Sequence, residues 1–294
     1  MIKKIFLFLL PGTILFAIWG AYRFYGQYQE KKYRDSFYQN LVDTASPTVT
    51  VLRDSILVGY RNEKKTIHVY VPPEYDKDST SRYPVMYFMD GESSFNDLEN
   101  MGPEWQIDEV INTASANQQP TAIVIGINDA EDRDAEYTPF INKDNPEAHG
   151  EAFAKWVTTD LKRWVDKNYR TDPSTKATTI GGISRSGMMA YYMLMAHPET
   201  FGNAIIQSPA MWVDYDRLMS MNLSQQQLAG KKVFVSVGAY EGRTMIPAAE
   251  AIYEKFKKLG LKEDALKYEL IPNEGHWHVT WRKSFAVAYP WLME

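Results

Sequence analysis

From Thr48 onward, short apolar runs rich in β-branched residues alternate with longer segments of helical periodicity. Short strands that are apolar throughout and separated by helices are typical of a parallel sheet covered on both faces. We therefore predict one α/β domain over residues 48–294, with a mostly parallel central sheet flanked by helices. The predicted strands cover residues 66–71, 85–89, 122–127, 177–180, 204–207, 233–237 and 267–271, and the clearest helices cover 152–168 and 248–259.

Charge and cysteine content exclude several classes of protein. The chain has 32 Lys and Arg residues against 37 Asp and Glu residues, a net charge of -5. It therefore lacks the basic surface that binds phosphate backbones, and we expect no nucleic-acid partner. It contains no cysteine, which excludes disulfides, thiolate metal sites and a cysteine nucleophile.

The N-terminus has the pattern of a membrane anchor. Two lysines precede an uncharged run, residues 5–22, which as a helix would reach about 27 Å and nearly span a bilayer. Trp19 stands where small residues would precede a signal cleavage site. We therefore predict a signal anchor at residues 1–22, a juxtamembrane tether at 23–47 and an extracytoplasmic catalytic domain. Secretion after cleavage is the alternative, and the basic residues that follow the run favour the opposite orientation.

A strand, a turn of small residues and a helix follow one another around Ser184. The serine nucleophile of an α/β hydrolase stands on such a sharp turn, where small neighbours let the backbone fold back and leave the hydroxyl exposed. Gly182 and Gly187 provide that room. The usual pattern is G-x-S-x-G, and Ser186 occupies the place of the second glycine. We predict Ser184 as the nucleophile, at the N-terminus of a helix that favours anionic intermediates.

A serine hydroxyl needs an imidazole to take its proton. His276 and His278 follow the last predicted strand, where this fold presents its base, and the tight turn at Gly275 favours His276. The H-x-H pair suggests a metal site only if further ligands lie at suitable spacing, and none is nearby, so we predict no metal. The remaining histidines are interpreted as structural: His68, His149 and His197.

The acid of the triad precedes the histidine along the chain in this fold. Glu241 follows the predicted strand 233–237, at the sheet edge where site groups gather. A glutamate can hold the imidazole in the right tautomer as an aspartate does. Asp214 and Asp216 are the alternatives.

Backbone amides near the ends of two strands are predicted to form an oxyanion hole. The strand 85–89 is followed by Gly91 and Glu92, whose N–H groups lie at the carboxyl edge of the sheet. One of them, together with the amide of Arg185 after the nucleophile, would bind the oxyanion of a tetrahedral intermediate.

Several short motifs occur along the chain in a fixed order: YVPPEY at 70–75, RYPVMY at 82–87, DG at 90–91, RDAEYTP at 133–139, GISRSG at 182–187, HPETFG at 197–202, SPAMW at 208–212 and GHWHVTWR at 275–282. Together they resemble the esterase branch of the α/β hydrolases that contains the enterochelin (siderophore) esterases, with S-formylglutathione hydrolases, feruloyl esterases and mycolyltransferases as wider relatives. The resemblance covers residues 49–292. Two residues depart from it: Ser186 replaces a glycine, where crowding of the turn would lower the rate, and Trp277 stands where relatives often carry aspartate.

The resemblance implies the α/β-hydrolase fold and the roles of Ser184, His276 and Glu241 as nucleophile, base and acid, with no metal or organic cofactor. We therefore expect a serine carboxylic-ester hydrolase that acts through an acyl-enzyme on a small-molecule ester. A siderophore ester is implied by the resemblance alone. Alternatives are a carbohydrate or feruloyl esterase, an acyltransferase of the same fold, and a binding protein that has lost turnover. The oligomeric state is left open. The aromatic residues expected to contact the substrate are Trp212, Tyr137 and Trp105.

Overall fold

The computed structural model describes residues 25, 28–29, 31–39 and 41–294. The predicted signal anchor, residues 1–22, lies outside the described residues. Within the described part of the chain, no helix is both long and apolar enough to cross a membrane.

Eight strands of the described chain form a single sheet in the order β1-β2-β4-β3-β5-β6-β7-β8. β1 pairs antiparallel with β2, and β2 with β4, whereas the other neighbours pair in parallel. The predicted α/β fold with a mostly parallel sheet is confirmed, and the predicted strands differ from the observed ones only at their ends. The strands are β1 Val49–Val58, β2 Glu63–Tyr70, β3 Val85–Met89, β4 Ile123–Ile127, β5 Thr178–Ile183, β6 Asn203–Gln207, β7 Lys232–Gly238 and β8 Leu266–Ile271.

Helices cover both faces of this sheet. The predicted helix 152–168 is found as α4 and α5 joined by a π-helical turn, Val157–Leu161, and the predicted helix 248–259 is the second part of α9. Besides residues 31–36, which are also helical, the α-helices of the described chain are α1 Asp97–Asn100, α2 Ile107–Ala116, α3 Arg133–Glu136, α4 Gly150–Trp156, α5 Lys162–Asn168, α6 Arg185–Ala196, α7 Tyr215–Ser220, α8 Gln225–Leu228, α9 Gly242–Leu259 and α10 His278–Met293.

The core consists of two apolar layers, one on each face of the sheet. Side chains alternate along each strand, so Tyr87 of β3 packs in one layer and its neighbour Phe88 in the other. The first layer contains the apolar sides of α4, α5, α6 and α9, and the second those of α2 and α10. Because both faces are buried, β3 to β6 are buried throughout, which is why apolar runs predict them.

The apolar pattern does not predict β1. Only Ile56 and Val58 of this strand are buried, and its register shifts between Leu52 and Ile56. An edge strand with one neighbour and one largely solvated face carries no continuous apolar run. β1 therefore lacks the continuous apolar run by which a central strand is recognised in the sequence.

Candidate active site

Ser184 occupies the turn between β5, which ends at Ile183, and α6, which begins at Arg185. Its backbone has φ 58° and ψ -117°, a conformation that residues other than glycine rarely adopt. Three backbone hydrogen bonds hold it: Ser184 N donates to Gln207 O over 2.9 Å, and Ser184 O accepts from Ala210 N over 2.9 Å and from Met188 N over 3.0 Å. The structure therefore places Ser184 on the strained strand-to-helix turn that the sequence predicts.

The imidazole of His276 lies beside this hydroxyl. Its Nε2 is 3.1 Å from Ser184 Oγ, and its Nδ1 is 2.7 Å from Glu241 Oε2. A carboxylate can only accept, so the ring proton belongs on Nδ1 and leaves the Nε2 lone pair facing the hydroxyl. The structure therefore brings the three predicted residues together in one hydrogen-bonded chain.

Glu241 is held by donors on both of its oxygens. Its side chain is 0% exposed, whereas that of His276 is 36% exposed. Glu241 Oε1 accepts from Ser208 Oγ over 2.6 Å and from the backbone N–H of Gly238 over 2.7 Å. Such fixed donors stabilise a buried carboxylate and fix its orientation toward the imidazole.

Ser208 is a site residue that the sequence analysis did not identify. It follows β6 with a positive φ of 45°, and its Oγ also accepts from Trp281 Nε1 over 3.0 Å. The Trp281 ring in turn meets the His276 ring edge to face, with centroids 5.1 Å apart. Ser208 is the first residue of the motif SPAMW and directly follows a predicted strand. This position is the sequence feature that could have identified it as a site residue.

The alternative base and acids lie elsewhere. His278 is partly buried, and this burial, with the charges of Arg282 and His276, lowers its pKa to about 4. Its Nδ1 accepts from Trp105 Nε1 over 3.2 Å, and in the described chain the hydroxyl of Ser184 is hydrogen-bonded to His276 instead. Asp214 pairs with Arg217 at 3.4 Å rather than with the imidazole. The remaining histidines each lie beside an acid: His68 by Glu99, His149 by Asp132 and His197 by Glu199.

The turn after β3 lies beside the nucleophile turn, because β3 and β5 are neighbours in the sheet. Asp90 has a left-handed φ of 59°, and Gly91–Ser93 forms a single 3-10 turn. A Cβ at Gly91 would overlap the backbone of Gly126, so only glycine fits there. Among the described residues, no backbone acceptor takes the N–H of Gly91, of Glu92 or of Arg185. These amides remain available to a bound oxyanion.

The carboxyl group of Glu92 is mostly buried beside this turn. Burial, together with the charges of Asp90 and Asp129, raises its pKa to about 8. The raised pKa favours the neutral form of Glu92, which adds no negative charge near the predicted oxyanion hole. Such neutrality is compatible with a site that stabilises an anion.

Ser186 does not crowd the nucleophile turn. Its side chain points away from Ser184 into the protein, is 0% exposed, and places Oγ 2.6 Å from Asp90 Oδ2. Gly182 provides the close approach instead, since a Cβ there would overlap the carbonyl oxygen of Ser186. The expected steric problem at this departure from the usual motif is therefore absent.

Two of the three aromatic residues expected to contact substrate are buried. Tyr137 is 0% exposed and its hydroxyl accepts from Asp90 N, and Trp105 is 2% exposed, so neither ring is available to a substrate. Trp212 is 52% exposed and remains a candidate. Tyr240, which the sequence analysis did not single out, is 68% exposed and directly precedes Glu241. The sequence around these four aromatic residues does not distinguish the buried rings from the exposed ones.

The described part of the predicted tether packs beside the site. Residues 31–36 are helical, and Tyr33 and Phe37 meet the Trp277 ring edge to face at centroid distances of 5.4 and 5.5 Å. The guanidinium of Arg34 lies 5.1 Å from the same ring. Trp277 directly follows His276, so this segment supports the loop that carries the imidazole.

Two groups of carboxylates in the described chain are close enough to share a cation. They are Asp90, Glu92 and Asp129, and Glu104, Asp108 and Glu109. In the first group, Asp90 already binds Arg133 through two hydrogen bonds. Neither group contains a residue of the Ser184 hydrogen-bonded chain.

Comparison with known proteins gives one family and several relatives. A family model named Esterase, described as "Putative esterase", matches residues 59–292. The ferri-bacillibactin esterase BesA of Bacillus subtilis (strain 168) is 22% identical over 251 residues, which cover 76% of this chain and 83% of BesA. Protein YbbA of the same organism is 24% identical over 237 residues, covering 76% and 90%.

Solved structures share the fold. The BES protein from Bacillus cereus superposes with a TM-score of 0.67 and 20% identity, covering 87% of this chain and 97% of that protein. The enterobactin esterase FES from Shigella flexneri superposes with a TM-score of 0.63 and 15% identity, covering 85% and 60%.

Proposed function

Because this chain belongs to the Esterase family and is an esterase, we propose that it hydrolyses carboxylic esters through an acyl-enzyme formed on Ser184. The observation that carries this proposal is the continuous hydrogen-bonded chain from Ser184 Oγ through His276 to Glu241, with distances of 3.1 and 2.7 Å. Nucleophile, base and orienting acid within hydrogen-bond reach of one another form the arrangement that activates a serine.

In the first half of the reaction, Ser184 Oγ attacks the ester carbonyl carbon while His276 Nε2 takes the hydroxyl proton. The imidazolium that forms is stabilised by Glu241, whose charge is buried and fixed. The carbonyl oxygen becomes an oxyanion, and the backbone N–H of Arg185 binds it together with that of Gly91 or Glu92. Each such donor contributes about 10² to 10³ in rate.

The tetrahedral intermediate collapses when the imidazolium protonates the leaving alkoxide, which departs as an alcohol. Water then enters, gives a proton to His276 Nε2 and attacks the acyl carbon. A second oxyanion forms in the same place, and its collapse returns the proton to Ser184 Oγ and releases the acid. The side chains named here are sufficient for each proton transfer.

We propose an aryl-bearing ester, with a siderophore ester first, as the substrate. BesA is named a ferri-bacillibactin esterase, and the solved neighbours include a ferulic acid esterase and the enterobactin esterase FES. Two exposed aromatic residues of this chain, Trp212 and Tyr240, also support an aryl substrate, because their rings offer flat apolar surfaces. Trp212 belongs to the motif that begins at Ser208, and Tyr240 directly precedes Glu241. Feruloyl esters form the second candidate class.

We also propose that residues 1–22 anchor the chain and that the catalytic domain lies outside the cytoplasm. The uncharged run at 5–22 supports this location. Protease added to spheroplasts, whose cytoplasmic membrane is intact, should digest the domain, whereas protection until that membrane is lysed would place the domain in the cytoplasm.

The triad is tested by Ser184→Ala measured beside Ser220→Ala, a control that removes an exposed helical serine hydroxyl. Hydrolysis of p-nitrophenyl acetate and of siderophore, feruloyl and acetyl-sugar esters should fall at least 10³-fold in Ser184→Ala and stay unchanged in Ser220→Ala. Full activity of Ser184→Ala would reject the proposed nucleophile. Free acid that decreases when a sugar acceptor is added would indicate acyl transfer.

A further inference from the structure

The hydroxyl of Ser186 joins the nucleophile turn to the turn that follows β3. Ser186 Oγ lies 2.6 Å from Asp90 Oδ2, and it accepts from the backbone N–H of Ile183 over 2.8 Å. The carbonyl oxygen of Ile183 is also 2.8 Å away. A hydroxyl has one proton, and the carboxylate is the stronger acceptor, so the proton is donated to Asp90.

Asp90 is fixed from several directions. Arg133 donates to both carboxylate oxygens, with Nε 2.6 Å from Oδ1 and Nη2 2.7 Å from Oδ2. The backbone N–H of Asp90 donates to Tyr137 Oη over 3.3 Å. Its left-handed φ of 59° is unusual for a residue with a side chain and persists only when surrounding contacts hold it.

The two turns joined by this hydrogen bond hold the two proposed oxyanion donors. The amides of Gly91 and Glu92 follow Asp90, and the amide of Arg185 directly precedes Ser186. Ser184, next to Arg185, has its own strained backbone at φ 58°. The separation of the two donors therefore depends on how closely the two turns are held together.

We propose that Ser186 is a positioning residue, whose hydroxyl bonds to Asp90 and Ile183 and sets the distance between the amide of Arg185 and the amides of Gly91 and Glu92. This inference rests on the proposed function, because these amides matter only if an oxyanion forms at Ser184. Glycine at position 186, the usual residue in the G-x-S-x-G pattern, could not make this connection. Ser186 therefore makes a contact between the two turns that glycine cannot make.

The proposed role affects the transition state more than the bound substrate. An oxyanion must lie about 2.7 to 3.1 Å from its donors, and a neutral ester carbonyl tolerates a looser fit. Loss of the Ser186 hydroxyl should therefore lower kcat and leave KM nearly constant. Because a displaced donor still contributes partly, the expected fall is below the 10² to 10³ of a deleted donor.

The first test compares Ser186→Ala and Ser186→Gly with Ser284→Ala in the full chain. Ser284 is an equally buried serine, whose Oγ is 2.6 Å from Ser236 Oγ, so its variant controls for the loss of a buried hydroxyl. With p-nitrophenyl butyrate, kcat should fall about 10- to 100-fold in both Ser186 variants, with KM within threefold of wild type. Ser284→Ala should keep the wild-type kcat.

Inhibition by a trifluoromethyl ketone distinguishes a positioning role of Ser186 from a merely structural one. The ketone forms a tetrahedral adduct with a serine, so its inhibition constant should rise by the same factor by which kcat falls. Wild-type kinetics in Ser186→Ala would overturn the inference, as would a fall in kcat that leaves inhibitor binding unchanged. The inference would also be overturned if Ser284→Ala lost as much kcat as Ser186→Ala at an equal loss of thermal stability.

A double-mutant cycle with Asp90→Gly tests the route of the effect. Glycine tolerates the left-handed backbone at this position and has no side chain that could accept from Ser186 Oγ. If Ser186 acts through Asp90, Ser186→Ala should change kcat less than twofold in the Asp90→Gly background. Independent, multiplicative effects would overturn the proposed connection.

The two proposals fail in different ways. If Ser184→Ala is active, the proposed function fails, and the role of Ser186 fails with it. If Ser184→Ala is inactive and Ser186→Ala has wild-type kinetics, only the role of Ser186 is rejected.

Discussion

Replacing Glu241 by glutamine should slow ester hydrolysis by about 10³- to 10⁴-fold while the fold is retained. The carboxylate now accepts from three donors: the backbone N–H of Gly238, Ser208 Oγ and His276 Nδ1, at 2.7, 2.6 and 2.7 Å. An amide has one oxygen that accepts and one nitrogen that only donates, so it cannot replace all three bonds.

The side on which the amide oxygen lies decides the result. Both Gly238 N and Ser208 Oγ donate to Oε1, so the oxygen of glutamine should remain there and its NH₂ group should face His276 Nδ1. The imidazole then has to accept at Nδ1 and carry its proton on Nε2, which can no longer take the proton of Ser184. A fall of 10³ to 10⁴ corresponds to about 4 to 5.5 kcal/mol in the activation free energy.

The assay is stopped-flow hydrolysis of p-nitrophenyl acetate, which reports acylation as a burst, with urea denaturation to follow stability. Glu250→Gln is the matched control, because Glu250 lies exposed on α9, the helix that begins directly after Glu241. We expect an acylation rate reduced by the stated factor in Glu241→Gln only. A rate within tenfold of wild type in the folded variant would refute the tautomer argument.

Three further predictions concern the surroundings of the site. Trp277→Ala should speed trypsin cleavage within residues 31–39, because it removes the aromatic ring on which this segment packs. Burial and the charge of a neighbouring acid raise the pKa of Glu104 from its ordinary 4.5 to about 9. The free energy of unfolding should therefore fall as pH rises from about 4.5 to 9, and Glu104→Gln should reduce this fall in urea titrations. Replacing both Trp212 and Tyr240 by alanine should raise KM for feruloyl esters about 5- to 10-fold relative to acetyl esters.

Each of these predictions has a contradicting outcome. Equal cleavage rates with and without the indole would show that the 31–39 segment is held by other contacts. A wild-type stability that is constant between pH 5 and 9 would show that Glu104 ionises freely in the folded protein. An equal increase in KM for feruloyl and acetyl esters would show that the two exposed rings do not determine substrate choice.

The fold was predictable where burial on both faces imposes an apolar run on the sequence. The strands β3 to β6 are of this kind, and the motif around Ser184 places the nucleophile turn between such a strand and a helix. The edge strand β1 was not predictable, because it buries only Ile56 and Val58. Periodicity detects elements that bury a continuous stripe and misses those that do not.

The site was predictable as far as chain order and strand ends determine it. These place Ser184, Glu241 and His276 at one edge of the sheet, and the structure brings them within hydrogen-bond distance. The supporting contacts of Ser186 and Ser208 depend on side-chain directions across two neighbouring turns, which spacing along the chain does not encode. The same limit explains why Tyr137 looked available to a substrate and is fully buried.

The central claim is that His276 activates Ser184, and fluorophosphonate labelling with peptide mapping tests it most directly. In the folded full chain, one adduct is expected, on Ser184, and His276→Ala should slow its formation at least 10²-fold, whereas His197→Ala should not. An adduct on a different residue, or equal labelling rates in His276→Ala and wild type, would contradict the proposed chemistry.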